Sequence, residues 1–284
     1  MNLRARKVLF INLAEKKSEV KSFEDYGKYI GGVGLGAKVL SESDKEGSVV
    51  FSVGPLNGFF PCVSKTSVLF KYNGKVQDIY LGGNLSSRIK FTGIDSIVLQ
   101  GKSEDPVRLE IIDEDVSFKD IEAGKLDSLG LPGKRSTLVV NESGLTLDQY
   151  FEAPNDFLSK KLSEMNIETI SVTGTKTFDI ENKERYEELD FNLLERCKKL
   201  TVEETGDPSC FGCPLGCGQA KVGEEDGDVL LHSLVSCTYT KEIYSDVSTV
   251  FSCLDVLDYK YVHEDLENFP NVVYDLIKEL ESNE

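Results

Sequence analysis

Three cysteines within eight residues, Cys210-Phe-Gly-Cys213-Pro-Leu-Gly-Cys217, constrain this chain more than any other feature. Two and then three intervening residues bring three thiolates into one short turn. Gly212, Gly216 and Gly218 let the backbone bend and approach closely, and Pro214 keeps the segment from becoming a helix. Soft thiolates held this way suit an iron–sulfur cluster or zinc. Zinc usually takes two separated Cys-x-x-Cys pairs, whereas here a triplet stands with distant single cysteines. A cubane cluster needs a fourth ligand, and Cys237 or Cys253 could supply it. The radical-chemistry order Cys-x-x-x-Cys-x-x-Cys and the run Cys-x-x-Cys-x-x-Cys both differ from what is written here.

The remaining chemistry is sparse. Seven cysteines are an odd number, and all but Cys62 fall in the last third, so they do not read as a disulfide framework. Two histidines, His232 and His263, nearly exclude a three-histidine catalytic zinc site. Lys plus Arg number 32 against 49 Asp plus Glu, a formal charge of −17. That balance argues against nucleic acid and against an anionic membrane surface, both of which need a basic face. No apolar run approaches a transmembrane helix, and the N-terminus lacks a signal-peptide pattern, so the expected location is the cytoplasm.

The chain changes character near residue 179. Before it, strand-length runs rich in Val, Ile, Leu and Phe occur at residues 8–13, 48–53, 67–72, 75–81, 96–100, 107–112, 137–140 and 169–172, punctuated by Gly, Asn, Asp and Pro. A helical spacing covers residues 23–40. Strands and helices do not alternate regularly, so an α+β architecture fits better than a doubly wound sheet. After it come helical patterns at residues 184–200, 228–235, 244–259 and 271–280, with a loop over residues 201–208. The last 64 residues carry 15 acids and 4 lysines, either a solvated surface or a docking face for a basic partner. The expected domains are therefore residues 1–178 and 179–284.

Four segments, taken in order, resemble the aldehyde ferredoxin oxidoreductases, tungsten- or molybdenum-pterin enzymes with one [4Fe–4S] cluster. Gly31-Gly32-Val33-Gly34-Leu35-Gly36-Ala37-Lys38 is similar to the family's Gly-Gly-Arg-Gly-Leu-Gly-Ala-Lys. Gly54-Pro55-Leu56-Asn57-Gly58 is similar to Gly-Pro-Leu-Thr-Gly. Residues 89–102, Ile-Lys-Phe-Thr-Gly-Ile-Asp-Ser-Ile-Val-Leu-Gln-Gly-Lys, resemble Leu-Lys-Phe-Ala-Gly-Tyr-Asp-Ala-Ile-Val-Val-Glu-Gly-Lys, and the cysteine triplet resembles the family's cluster motif. The family takes its fourth ligand from Asp-Ser-Leu-Gly-Leu-Cys. The matching stretch is His232-Ser233-Leu234-Val235-Ser236-Cys237, so the resemblance implies the set Cys210, Cys213, Cys217 and Cys237 and leaves Cys62, Cys197 and Cys253 as ordinary buried thiols.

The resemblance has gaps. Family members are about twice as long, and their helical section lies between the third and fourth cluster cysteines, where this chain has only 19 residues. The family's catalytic Glu and His and one Asp-x-x-Gly pterin motif belong to that section. The other Asp-x-x-Gly has become His232-x-x-Val235, and a neutral His cannot accept as a carboxylate does. Lys65 stands where the family has Arg, keeping charge without the bidentate fork. Gly82 and Gly83 are what remains of an Asn-Ser-Gly-Gly loop at the cofactor. The resemblance thus implies an eroded pterin site at Lys65, Gly82 and Gly83.

Two weaker signals are set aside. Gly-x-Gly-x-x-Ala at residues 32–37 reads as helix packing, since a dinucleotide site needs a preceding strand and a later acid. Lys134 and Arg135 read as a solvated loop. The expectation is an α+β iron–sulfur protein with one [4Fe–4S] cluster that transfers electrons as subunit or partner of a larger redox enzyme or of ferredoxin. An active tungsten- or molybdenum-pterin oxidoreductase converting aldehydes to acids is the competing expectation, and a scaffold with a structural metal the third.

Overall fold

A computed structural model describes residues 5–119, 126–141, 144–200, 208–237 and 240–282. The first sheet collects β1 (Arg6–Asn12), β2 (Lys17–Phe23), β3 (Ser48–Ser52), β4 (Thr66–Tyr72), β5 (Lys75–Leu81) and β6 (Ser96–Gln100). The second collects β7 (Val107–Ile112), β8 (Asp115–Lys119), β9 (Arg135–Asn141), β10 (Gly144–Leu147), β11 (Phe151–Glu152) and β12 (Ile167–Thr173). A short strand β13 (Glu224–Glu225) returns to the edge of the first sheet against β5. The described strands run β13-β5-β4-β3-β6-β1-β2 and β11-β10-β9-β12-β7-β8. Pairing is mostly antiparallel, with β1–β6 and β12–β7 parallel. The architecture is α+β.

The first sheet reads as unbroken apolar runs because both its faces are covered. Val8, Val50, Leu69, Tyr80 and Val98 face a core built with the helices. Their neighbours Leu9, Val49, Val68, Ile79 and Leu99 face a second core shared with the other sheet. The helices α1 (Gly32–Ser41), α2 (Leu85–Phe91) and α3 (Phe157–Glu164) belong to this part. Helices α4 (Lys183–Cys197), α5 (Gly218–Val222), α6 (Val229–Leu234), α7 (Lys241–Tyr244), α8 (Val247–Val256) and α9 (His263–Ser282) follow. Leu234, Phe269 and Val273 join Val33 and Leu35 of α1 in the first core. A Cβ on Gly34 would stand 2.4 Å from Phe269 Cζ, so the glycine pattern of α1 admits α9. No described helix is long and apolar enough to cross a membrane.

Some expectations need correction. The helix expected over residues 23–40 starts only at Gly32, because a 3-10 turn at Asp25–Tyr29 ends at Ile30 with φ +57. The last helix starts eight residues earlier than expected and runs through Pro270. Burial of Leu266 and Phe269 on α1 holds the turn that the proline weakens. Arg135 opens β9 and pairs with Asp127 at 2.9 Å, so it is not part of a solvated loop. Most of the loop expected at residues 201–208 lies outside the described residues.

The motif at residues 89–102 is explained by packing. The buried Lys90 ammonium meets Asp95 at 3.4 Å and the Tyr259 hydroxyl at 3.4 Å, while Asp95 accepts from the Lys7 amide at 3.0 Å. An enclosed cation needs such an anion. Gly93 turns the chain between them at φ +79.

Candidate iron–sulfur centre

The loop from β3 to β4 sets one wall of the site. Asn57, fully buried, accepts from the Gly54 amide at 2.6 Å and donates to the Val63 carbonyl at 2.9 Å. That staple fixes the path of Cys62 and Lys65. The Lys65 side chain is 1% exposed, and its ammonium donates to the Gln219 carbonyl at 3.4 Å.

The cysteine loop is stitched to this wall. The Phe211 amide donates to Gly83 O at 3.1 Å, and the Cys62 amide donates to Gly212 O at 3.2 Å. Gly212 has φ +68, the left-handed conformation that glycine adopts without strain. Cys210 is buried, and its sulfur accepts from the Gly83 amide at 3.3 Å. Cys217, also buried, stands at the residue before α5. Cys237 is buried after α6, with its sulfur 3.5 Å from the Thr240 hydroxyl.

Burial pushes the Cys210 thiol up, and pushes Cys237 up to about 11. In both cases the Lys65 ammonium pulls the other way, and it pulls Cys213 down too. One enclosed cation therefore acts on three of the four expected ligands. Cys213 is lowered to about 7, chiefly because the Cys62 thiol donates to it. Among the described residues, no group of three or more His, Cys, Asp or Glu side chains converges on a single metal ion. A four-iron cluster is held at its corners, with its sulfurs further apart than the ligands of one ion. Cys210 and Cys213 on one loop and Cys237 after α6 share the field of the Lys65 ammonium, and soft thiolates of this kind suit iron–sulfur chemistry.

The residues expected at a pterin are placed differently. A Cβ on Gly82 would stand 2.3 Å from the Ala220 carbonyl and 3.1 Å from Cys210 Sγ; one on Gly83 would stand 2.7 Å from the Phe151 ring. The chain's own α5 and Phe151 thus fill the space these glycines open. Lys65 lies against the Gln219 carbonyl. These residues form no cradle for a pterin.

His232 is buried with its ring stacked on Tyr80, centroids 3.7 Å apart, and its Nε2 is 3.4 Å from Glu224 Oε2. Its Nε2 faces the Glu224 carboxylate. Beneath it the Asp78 carboxyl is enclosed, although the residue as a whole is half-buried: Oδ1 has no partner and Oδ2 accepts from the Tyr80 hydroxyl. Burial, helped by Asp226, pushes Asp78 up to about 7, against the Tyr80 hydrogen bond. Its folded value lies above the unfolded one, so its stabilisation is complete below the unfolded pKa near 4 and is lost as pH rises through about 7. Asp78→Asn should remove that slope and stabilise the chain at pH 8 by on the order of 2 kcal/mol. Urea unfolding at several pH values checks this, and an unchanged slope would contradict it.

One grouping had no signal in the sequence. Cys62 and Cys197, 135 positions apart, place their sulfurs 3.3 Å from each other, and Cys62 Sγ lies 3.8 Å from Cys213 Sγ. Cys62 and Cys197 are buried as expected, but not as isolated thiols. Cys253 is buried apart, and burial raises its thiol to about 12.

Comparison with known proteins bears on the fold and the N-terminal part of the chain. Residues 8–127 match the aldehyde ferredoxin oxidoreductase N-terminal domain. The tungsten-containing aldehyde ferredoxin oxidoreductase of Pyrococcus abyssi is 23% identical over 78% of this chain and 50% of its own length. The aliphatic sulfonate oxidoreductase WOR-like subunit of Pyrococcus furiosus is 33% identical over 40% of this chain and 20% of its own. The active-site complex BamBC of benzoyl coenzyme A reductase shares the fold at a TM-score of 0.61 and 14% identity, over 98% of this chain and 63% of that one. The chain thus spans about half the length of the first of these relatives. Over residues 8–127 the chain thus carries the N-terminal domain of the aldehyde ferredoxin oxidoreductases, and it is similar to members of that family beyond it.

Proposed function

We propose that the chain binds one [4Fe–4S] cluster through Cys210, Cys213, Cys217 and Cys237 and passes single electrons within a larger redox enzyme. Residues 1–178 act as scaffold and residues 179–284 bear the ligands. The observation that carries this is Lys65. Its ammonium is enclosed, no described carboxylate pairs with it, and it acts on three thiols. A buried cation without an anion is costly, and thiolates around an anionic cluster supply that anion. When bound, such a cluster takes up and gives up one electron at a time. The chain's part is to hold four sulfurs, exclude water and set the charge around them.

Support for a larger assembly comes from the relatives, one a WOR-like subunit and one an active-site complex. The tungsten-pterin reading draws on the names of the relatives, and the filled space at Gly82 and Gly83 opposes it in this chain. Anaerobically purified protein should show broad visible absorbance bleached by dithionite. Colourless protein with stoichiometric zinc would overturn the proposal.

Lys65→Met should lower the reduction potential of the cluster, because a positive charge near a cluster favours the added electron. A unit charge acting across a buried site with an effective dielectric of about 20 contributes a few kcal/mol, on the order of 100 mV for one electron. Lys65→Arg should restore most of it. Redox titration followed by electron paramagnetic resonance reads both, and equal potentials in all three proteins would remove Lys65 from the account.

A further inference from the structure

We infer that Cys213, Cys62 and Cys197 form a thiol relay that stores an oxidising equivalent as a buried Cys62–Cys197 disulfide. The inference stands apart from the cluster, since it concerns the chain while Cys213 is free of metal. Three observations carry it. The sulfurs form a chain, Cys213 to Cys62 at 3.8 Å and Cys62 to Cys197 at 3.3 Å, and a disulfide needs them to close to about 2 Å. Access is graded along that chain, because Cys213 is partly exposed while Cys62 and Cys197 are each 1% exposed. Cys62, the shared middle sulfur, is held at φ +64, a left-handed conformation that a non-glycine residue keeps only where its surroundings enforce it. Those surroundings are the hydrogen bond that the Cys62 amide donates to the Gly212 carbonyl at 3.2 Å and the one that the Thr240 hydroxyl donates to the Cys62 carbonyl at 3.4 Å.

The oxidant is a low-molecular-weight disulfide of the glutathione class. The Cys213 sulfur attacks it, forming a mixed disulfide and releasing one small thiol. Cys62 then attacks the Cys213 sulfur, forming the Cys62–Cys213 bond and releasing the second small thiol. Cys197 attacks the Cys62 sulfur, so the Cys62–Cys197 bond forms and Cys213 leaves as a free thiol. The small disulfide gains two electrons and two protons, and Cys62 and Cys197 lose them. The product ties the loop before β4 to the last turn of α4 and leaves Cys213 available again as a ligand.

The test treats the full chain, stripped of iron by a chelator, with oxidised glutathione, then alkylates, digests and maps disulfides by mass spectrometry. Wild type should yield the Cys62–Cys197 pair. Cys197→Ser should stop at Cys62–Cys213, and Cys62→Ser should keep glutathione on Cys213 with no internal bond from it. Cys213→Ser should form Cys62–Cys197 at least tenfold more slowly. Circular dichroism checks that each variant folds, and the wild-type map needs no variant. A wild-type map dominated by another pair, an unchanged rate in folded Cys213→Ser, or stoichiometric zinc held by these three thiols would overturn the relay. Iron content is read separately, so a chain that never binds a cluster still reports on the relay.

Discussion

Cys213→Ser should abolish the visible absorbance of the proposed cluster and take iron well below that of the wild type, whereas Cys253→Ser should leave both intact. The contrast follows from position. Cys213 lies in the turn whose backbone is tied to Gly83 and Cys62, and the Cys62 thiol, helped by the Lys65 ammonium, draws its sulfur toward the thiolate. Cys253 is buried among α8 side chains, and burial raises its thiol to about 12, which disfavours the thiolate that a metal requires. A serine hydroxyl is a hard, weak ligand for cluster iron compared with thiolate. Iron assay and absorbance of both variants, purified without oxygen, read the effect. Full retention in Cys213→Ser, or loss in a folded Cys253→Ser, would sink the ligand assignment.

Gly32→Ala should destabilise the chain by about 4 kcal/mol, against about 1 kcal/mol for Gly133→Ala. Both glycines have positive φ, +46 and +75, so both changes carry a conformational cost. Around Gly133 nothing lies within 4 Å, whereas a Cβ on Gly32 would stand 2.1 Å from His232 O and 2.9 Å from Ser233 Cα. Those atoms belong to α6 and cannot swing aside as a side-chain tip would. Gly54 makes the same kind of approach, its Cβ position 2.5 Å from Leu234 O. The two glycine motifs thus dock the helix that leads into Cys237, and Gly32→Ala should also lower iron content. Thermal melts and iron assays of both variants test this. Equal melting temperatures would mean that α6 yields freely.

The sequence was most informative where burial on both faces wrote long apolar runs. Residues 75–81, 96–100 and 107–112 are strands with the bounds expected. It was least informative at the edges. β2, Lys-Ser-Glu-Val-Lys-Ser-Phe, is mostly exposed, and its polar composition is that of a protected edge. The start of α1 was hidden because Tyr26 and Ile30 continue the helical spacing through a 3-10 turn. Val235 shows what a motif can carry: the family has glycine there, and this valine, buried, still adopts φ +64. The cysteine turn was legible because its three cysteines are close in sequence. The approach of Cys62 to Cys197 and Cys213 was not, since it arises only when the β3–β4 loop and α4 pack together.

Elemental analysis of the chain purified without oxygen tests the central claim most directly. The account predicts about four iron atoms per chain with neither tungsten nor molybdenum. Stoichiometric zinc without iron would contradict the cluster, and iron together with tungsten or molybdenum would contradict the reading of Gly82 and Gly83 as filled by the chain itself.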